Sequence, residues 1–177
     1  GSRLAPLSSS FTKHLFPIYD KPMIFYSLSI LLLAGIRDIS LVTKSKDLNL
    51  YKSLLGNGSR YGIKIKYVIQ NKPKGIADAL LLNLKFIKND SVCVVLGDNI
   101  IYGDTLSSKL KSLAQKNSRA SIFGYYVNNP SEFGIVNFDK KNNIVSLKEK
   151  PKKPKSNWAV PGVYFYDETL INKLKQI

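Results

Sequence analysis

The chain has 177 residues, 44% of them hydrophobic, which suffices to bury the core of one domain of ordinary size spanning residues 1–177. Its 27 lysine and arginine residues against 12 acidic residues give a formal net charge of +15, so we expect a polyanionic partner such as a nucleotide, a sugar phosphate, nucleic acid or anionic lipid. The single cysteine excludes a disulfide framework and a cysteine-based metal site, and the longest apolar stretch, residues 23–36, is too short to span a bilayer.

The first half of the chain alternates helix and strand signals. Asp20 and Pro22 are typical of the start of a helix and Gly35 of its end, so we expect a largely buried helix between them, capped by Asp20. Four further elements follow in order: a strand over residues 38–43, a helix over 48–55, a strand over 63–69 and a single helix over 75–87. This order predicts a parallel sheet with right-handed crossovers.

The apolar run of residues 92–96 ends at Gly97 and is followed by Asp98. A short run that is rich in β-branched residues and bounded by turn signals is typical of a fully buried strand of an α/β sheet. Ligands of open α/β sheets bind beyond the carboxyl ends of the strands, so Asp98 lies where a metal or a phosphorylated ligand would be held. The alternative is that Asp98 only turns the chain before the next element.

The order of elements changes after Asp98. The predicted elements are a helix over residues 105–114, a strand over 120–127, hairpin strands over 134–138 and 144–148, an exposed loop over 150–155, a strand over 160–166 and a final helix capped by Asp167. The hairpin therefore interrupts the α/β order. The lysines are spread singly, as on a solvated surface, and no motif of basic and aromatic residues indicates nucleic-acid binding.

Small and basic residues begin the chain. Gly1 and Ser2 belong to a small-residue loop that offers backbone N–H groups. Arg3 adds a guanidinium fork and Lys13 a point charge, and the combination suits a triphosphate. Gly1 and Ser2 equally fit a remnant of cloning. His14, the only histidine, is interpreted as a non-catalytic neighbour of Lys13.

Sequence motifs in a fixed order run through the whole chain. They are Arg3 with Leu4, Lys13 with residues 15–23, residues 33–39, Gln70 with Pro73 and residues 75–79, and residues 96–103, 133–136, 149–151, 154–157 and 160–167. Together they resemble the sugar nucleotidyltransferases, and among these the glucose-1-phosphate thymidylyltransferases. The resemblance implies an α/β, Rossmann-like nucleotidyltransferase fold with a mostly parallel central sheet flanked by helices and an inserted β-hairpin region that binds the sugar. It also implies an incomplete domain, in which the first strand and the C-terminal part, with a second metal-binding carboxylate, are missing.

The resemblance further implies a reaction. The phosphate oxygen of glucose 1-phosphate attacks the α-phosphorus of dTTP and yields dTDP-glucose and pyrophosphate, a displacement that depends on positioning and charge neutralisation. Arg3 and Lys13 would hold the triphosphate, and Asp98 would bind Mg²⁺, a hard cation that prefers carboxylate and phosphate oxygens. Lys150 would neutralise the sugar phosphate. The catalytic residues implied are Arg3, Lys13, Asp98 and Lys150.

By the same resemblance, two groups of residues bind the substrates. The nucleotide-binding residues are Gly1, Ser2, Arg3, Lys13, Gln70, Gly75 and Asp98, and the sugar-binding residues are Asn99, Gly134, Glu149, Lys150, Val160 and Tyr164. The Gln70 amide can both donate to and accept from a thymine edge, and Gly75 allows close approach. Without the resemblance, Gln70 fits an ordinary solvated residue and residues 148–150 fit a charged strand end.

Two positions depart from the family pattern. Phe133 replaces a more usual Tyr and removes a hydroxyl near the sugar. Pro161 replaces a more usual Thr and removes a backbone N–H. We therefore expect specificity for the sugar to be less fixed than nucleotide binding.

The resemblance predicts a cytoplasmic enzyme that takes dTTP and glucose 1-phosphate with Mg²⁺, forms homotetramers and supplies dTDP-rhamnose synthesis. Neither nucleic acid nor a membrane is an expected partner. Two alternatives stay open: a related pyrophosphorylase that uses UTP, CTP or GTP, and a catalytically inactive module that binds a nucleotide sugar.

Overall fold

The computed structural model describes residues 12–88, 90–115, 120–141, 143–174 and 176. The helices are α1 (Ile24–Leu33), α2 (Leu48–Leu55), α3 (Ile76–Leu81), α4 (Leu84–Ile87), α5 (Leu106–Gln115) and α6 (Leu170–Leu174). The strands are β1 (Pro17–Ile18), β2 (Lys21–Pro22), β3 (Asp38–Thr43), β4 (Lys64–Ile69), β5 (Val92–Val95), β6 (Ala120–Ile122), β7 (Tyr125–Tyr126), β8 (Gly134–Phe138), β9 (Ile144–Glu149), β10 (Trp158–Ala159) and β11 (Val163–Tyr166). β3 and α2 begin and end where the sequence predicts.

The described strands form four sheets. β3 and β4 are parallel neighbours, with Asp38 opposite Lys64 and Thr43 opposite Ile69. β11 lies between β5 and β6 and runs antiparallel to both. β7, β10, β8 and β9 form an antiparallel sheet in that order, and β1 and β2 form a short hairpin. The α/β class and the inserted hairpin of β8 and β9 are confirmed. Among the described strands, β3 and β4 are parallel, whereas β11 follows the insertion and returns antiparallel along β5.

The helix predicted to start with an Asp20 cap begins at Ile24 instead. Lys21 and Pro22 form β2, which pairs with β1, and Tyr19 has a positive φ of 61° in the turn between the two strands. The Asp20 carboxylate accepts a hydrogen bond from the Lys21 ammonium at 3.1 Å. The cap prediction is wrong because proline fits a strand edge as well as the first turn of a helix.

Helix α1 is buried on two sides, as the sequence predicts for it. Ile24 and Leu28 pack with apolar residues of β3 and α2. Ile30, which is 1% exposed, packs with residues of α5 and β11, and Cys93 lies against the same cluster. The helix therefore joins the parallel pair to the three-stranded sheet.

The single helix predicted over residues 75–87 is two helices, α3 and α4, with Asn83 between them. Asn83 is 6% exposed, and its Nδ2 donates to the Ala79 carbonyl at 2.8 Å, while the Ser40 hydroxyl donates to its Oδ1 at 2.5 Å. A side chain that bonds a carbonyl four residues earlier competes with the helical backbone, which accounts for the break. Burial of Asn83 against β3 is a tertiary effect that helical spacing does not reveal.

Two predicted strands are divided or shortened. Residues 120–127 give β6 and β7, which are separated by Phe123 and Gly124 and lie in different sheets. The strand predicted from residue 160 begins at Val163, because Pro161 has no N–H to donate to a ladder. Among the described residues, no helix has the length and apolar character needed to cross a membrane.

A groove of about 1330 Å³ lies between β3 and β5 and is lined by Leu41 and Val42 on one side and Val94 on the other. In the described part of the chain, β3 pairs only with β4, and β5 pairs only with β11. Each strand therefore has one edge without a described partner. The further central strand that the resemblance implies stays a prediction.

Candidate functional site

Lys13 and Asp98 form an ion pair although they lie 85 residues apart in the chain. Lys13 begins a short 3₁₀ helix (Lys13–Leu15), and its ammonium donates to Asp98 Oδ2. Asp98 follows the carboxyl end of β5, in the position that the sequence predicts. The two side chains are 29% and 36% exposed, so both can contact a ligand while they hold each other.

The electrostatics of this pair keep the Asp98 carboxylate ionised. Partial burial alone would raise the pKa of Asp98, but the hydrogen bond and charge of Lys13, with a further contribution from His14, hold the pKa below its ordinary value. A carboxylate beside an ammonium presents both signs of charge at one edge of the fold. This arrangement suits a phosphate chain that arrives with a bound cation.

The His14 ring packs beside Gly97, the residue before Asp98. Its Nδ1 lies 3.1 Å from the Thr12 hydroxyl and 3.2 Å from the Tyr51 hydroxyl. Burial lowers the pKa of His14, so its ring is neutral at neutral pH. A Cβ on Gly97 would lie 3.0 Å from His14 Cδ2. His14 therefore packs against the segment that carries the Asp98 carboxylate.

Asn99 connects Asp98 to the start of β11. Its Oδ1 accepts a hydrogen bond from the Gly162 N–H at 3.0 Å. Its Nδ2 lies 3.4 Å from Asp98 Oδ1 and 3.4 Å from the Leu96 carbonyl oxygen. The turn that carries the carboxylate is thus fastened to the neighbouring strand.

An alanine at position 162 tests this connection. A Cβ on Gly162 would lie 2.5 Å from both Asn99 Nδ2 and Leu96 Cγ. We expect Gly162→Ala to lower the free energy of unfolding by about 1–3 kcal/mol, because the alanine must displace the turn. Urea denaturation measures the change.

The matched control is Gly124→Ala, where the nearest atom to a new Cβ is Trp158 Cε3 at 3.6 Å. This contact is an ordinary van der Waals distance, so we expect the free energy of unfolding to stay within about 1 kcal/mol of the parent value. A Gly162→Ala variant as stable as the parent would contradict the close packing of the turn.

Gly134 and Val160, two of the residues that the sequence assigns to a sugar, lie close to Glu149 or to each other. Gly134 lies opposite Glu149 in the hairpin, and a Cβ on Gly134 would lie 3.0 Å from Glu149 Oε2. The Val160 N–H donates to the Gly134 carbonyl at 2.9 Å. Burial, and to a smaller extent the charge of Glu149, raises the pKa of Tyr164. The exposed Glu149 carboxylate is thus bordered by the backbone of Gly134.

Lys150 follows β9 in the left-handed region, with a φ of 41°. Its backbone N–H donates to the Phe133 carbonyl at 3.0 Å, which fixes the turn. Phe133 itself packs edge to face with Tyr125, with ring centroids 6.2 Å apart. Non-glycine residues held at positive φ are concentrated at functional sites, which supports a role for this turn beside Glu149.

Gln70 and Gly75 lie beyond the carboxyl end of β4. The Gln70 N–H donates to the Thr43 carbonyl at 2.8 Å, and its side-chain Nε2 lies 2.7 Å from Asp78 Oδ2 and 3.3 Å from the Gly75 carbonyl oxygen. Gly75 has a φ of 93°, which favours glycine, and a Cβ there would meet no atom within 4 Å. The backbone at Gly75 is therefore open to a ligand. Asp78 lies within the motif of residues 75–79 and in the first turn of α3, but the sequence did not assign it a role.

The groove between β3 and β5 extends from the ion pair to α3. Its lining includes Lys13 and Asp98, and also Ile76 and Ala79 of α3, the helix that follows Gly75. The remaining predicted nucleotide-binding residues, Gly1, Ser2 and Arg3, lie outside the described residues. Their contacts with a phosphate chain stay predictions.

Asp98 has the donor chemistry that suits Mg²⁺. The described residues contain no group of three or more His, Cys, Asp or Glu side chains that could enclose a metal ion. Mg²⁺ commonly keeps several waters and is held by one or two carboxylates together with substrate phosphates. A single exposed carboxylate beside the Lys13 ammonium therefore fits this ion.

Comparisons with known proteins give a consistent result. A sequence model of the nucleotidyl transferase family matches residues 1–177. A glucose-1-phosphate thymidylyltransferase of Neisseria meningitidis is 49% identical over 177 residues, which are 100% of this chain and 62% of that protein. The chain thus spans less than two thirds of this curated relative.

Solved structures extend the comparison. A Bacillus anthracis protein assigned as a glucose-1-phosphate thymidylyltransferase, crystallised with sucrose, superposes with a TM-score of 0.91 at 35% identity, over 99% of this chain and 71% of that one. An apo UDP-glucose pyrophosphorylase superposes with a TM-score of 0.80 at 24% identity, over 99% of this chain and 76% of that one. The second likeness is one of fold.

Proposed function

The chain belongs to the nucleotidyl transferase family, and from this we propose that it joins glucose 1-phosphate to dTTP to give dTDP-glucose and pyrophosphate. The observation that carries the proposal is the ion pair of Lys13 and Asp98 beyond β5. A cation and a carboxylate side by side at this edge suit a triphosphate with its metal. The named relatives support the choice of dTTP and glucose 1-phosphate.

In the proposed reaction, a phosphate oxygen of glucose 1-phosphate forms a bond to the α-phosphorus of dTTP. The bond from that phosphorus to the oxygen bridging the α- and β-phosphates breaks, and pyrophosphate leaves with the bonding electrons. Such a displacement needs positioning and neutralisation of charge rather than a covalent intermediate.

Lys13 and Asp98 perform the charge neutralisation in this proposal. The Lys13 ammonium binds phosphate oxygens of dTTP, and Asp98 orients that ammonium before the nucleotide arrives. Gly1, Ser2 and Arg3 add backbone and guanidinium donors to the same phosphates. Asp98 would hold Mg²⁺, which would lower the negative charge on the phosphates.

The turn around Glu149 and Lys150 binds glucose 1-phosphate in this proposal. Glu149 accepts hydrogen bonds from sugar hydroxyls, and Lys150 neutralises the sugar phosphate. Tyr164 and Asn99 add hydrogen-bonding groups, and backbone atoms of Gly134 and Val160 complete the pocket. Support comes from the closeness of Gly134 to the Glu149 carboxylate and from the effect of the Glu149 charge on the pKa of Tyr164.

Gln70 reads the base in this proposal, next to the open backbone of Gly75. We further propose that the enzyme works in the cytoplasm, where nucleotides and sugar phosphates are available, and that it is a homotetramer. The sequence and the family relationship support the proposed location and the proposed homotetramer. The product would supply dTDP-rhamnose synthesis.

Release of pyrophosphate tests the proposed function. The 177-residue chain and the full-length product of its gene are each incubated with Mg²⁺, glucose 1-phosphate and one of dTTP, UTP, CTP or GTP. We expect release with dTTP to be fastest and to stop when EDTA removes Mg²⁺, because the phosphate charges are then no longer neutralised.

Two results of these measurements would contradict the proposal. Faster release with UTP, CTP or GTP would assign a different nucleotide. Binding of dTTP by calorimetry without any release would indicate a binding module instead of an enzyme.

A further inference from the structure

The side-chain amide of Gln70 has a fixed orientation. Its Nε2 is 2.7 Å from Asp78 Oδ2 and 3.3 Å from the Gly75 carbonyl oxygen. A carboxylate and a backbone carbonyl both only accept hydrogen bonds, so the amide must turn its NH₂ group toward them. Both of its N–H bonds are then used. Oε1 is the polar atom of the amide that is left for a ligand.

This orientation restricts what Gln70 can recognise. An amide that rotates freely offers either a donor or an acceptor to a base and discriminates poorly among bases. An amide whose NH₂ group is already bonded can only accept. Thymine and uracil present an N3–H donor, whereas cytosine has a lone pair at N3. A Gln70 amide that can only accept a hydrogen bond therefore favours thymine and uracil. With cytosine, Gln70 Oε1 would face the lone pair at N3, so two acceptors would oppose each other.

The local fold places Asp78 for this contact. Gln70 is anchored at the end of β4 by its backbone hydrogen bond to Thr43. The chain then turns at Gly75, with a φ of 93°, and α3 begins at Ile76. This turn brings the first turn of α3 back to the strand end, so the Asp78 carboxylate meets the amide eight residues earlier in the chain.

We propose that Asp78 is a positioning residue that determines base specificity by holding the Gln70 amide with Oε1 toward the N3–H of a thymine or uracil base. The inference rests on the proposed function, in which Gln70 reads the base. Asp78 acts through Gln70, whose amide would turn if the carboxylate were removed. A purely structural Asp78 would instead stabilise the start of α3 and leave the choice of base unchanged.

The test measures dissociation constants of dTTP and dCTP, each without sugar, by calorimetry. We expect the parent chain to favour dTTP by at least about 10-fold, as one well-placed base contact allows. In Asp78→Asn the new amide can donate to or accept from Gln70, so the preference falls at least about five-fold, with weaker dTTP binding and stronger dCTP binding. Asp78→Ser, which removes the carboxylate without adding an amide, is expected to shift the ratio in the same direction.

Two further readouts separate positioning from structure. In a Gln70→Ala background, Asp78→Asn should change the preference by less than about two-fold, because the residue through which Asp78 acts is gone. At saturating dTTP, the kcat of Asp78→Asn should stay within about two-fold of the parent value, since the effect lies in base binding. Asp104→Asn, at an exposed carboxylate, is the matched control and keeps the parent preference.

The outcomes distinguish this inference from the proposed function. A parent chain that prefers dTTP, with folded Asp78 variants that keep the same preference, overturns the role of Asp78 alone. An equal effect of Asp78→Asn with and without Gln70 overturns it as well. A parent chain that binds neither nucleotide overturns the proposed function and the inference together.

Discussion

We expect Asp98→Asn to lower the rate of pyrophosphate release from dTTP by more than about 100-fold. This loss exceeds the loss that follows when a residue that only contacts a metal ligand is changed. Asparagine has the shape of aspartate but lacks the charge that a hard cation needs. It also leaves the Lys13 ammonium without its counter-ion. The variant would therefore lose both the cation and the orientation of the lysine. Steady-state kinetics at saturating glucose 1-phosphate measure the loss.

A change in stability would not account for this loss of activity. Both side chains of the pair are partly exposed, and an ion pair of this kind contributes at most about 1 kcal/mol to stability. Thermal unfolding of Asp98→Asn should therefore resemble that of the parent. Asp104→Asn is the matched control, because Asp104 is an exposed carboxylate six residues further along the chain. Activity of Asp98→Asn within about three-fold of the parent would remove Asp98 from the reaction.

Lys13→Met should lower kcat/KM for dTTP by about 100-fold or more. Removal of one group that stabilises the charge of a transition state usually lowers activity by this factor. Methionine keeps much of the length of the side chain and removes the ammonium that contacts Asp98. Lys13→Arg should recover only part of the activity, because a planar guanidinium cannot occupy the place of a compact point charge.

The matched control for Lys13→Met is Lys21→Met. Lys21 also pairs with an aspartate, at 3.1 Å from Asp20, but it lies in the hairpin of β1 and β2. Loss of that pair should leave kcat/KM unchanged. Equal losses in the two variants would indicate a general effect of positive charge on nucleotide binding, and would contradict a specific role for Lys13.

Local sequence signals predict the elements whose ends depend on local chemistry. β3 and α2 are bounded by turn residues and apolar spacing, and both begin and end as expected. The same signals fail where distant contacts decide. Asn83 breaks a helix because its buried side chain bonds the Ala79 carbonyl and the Ser40 hydroxyl of β3. Residues 120–127 divide because their two halves join different sheets.

In the candidate site, too, local sequence signals predict some features and distant contacts decide others. Asp98 could be predicted from its place after an apolar strand, since ligand sites lie beyond the carboxyl ends of strands. Its pairing with Lys13 joins residues 85 apart, and the contact of Asp78 with Gln70 depends on the turn at Gly75. These contacts depend on the packing of several elements, so they required the three-dimensional structure.

The most direct test of the proposed reaction follows all the phosphorus atoms at once by ³¹P NMR, with the full-length product of the gene, Mg²⁺, dTTP and glucose 1-phosphate. We expect dTDP-glucose and pyrophosphate to appear in equal amounts while both substrates decline, and we expect Asp98→Asn to abolish the change. Spectra in which dTTP and glucose 1-phosphate persist, or in which dTTP is only hydrolysed, would contradict the proposed reaction.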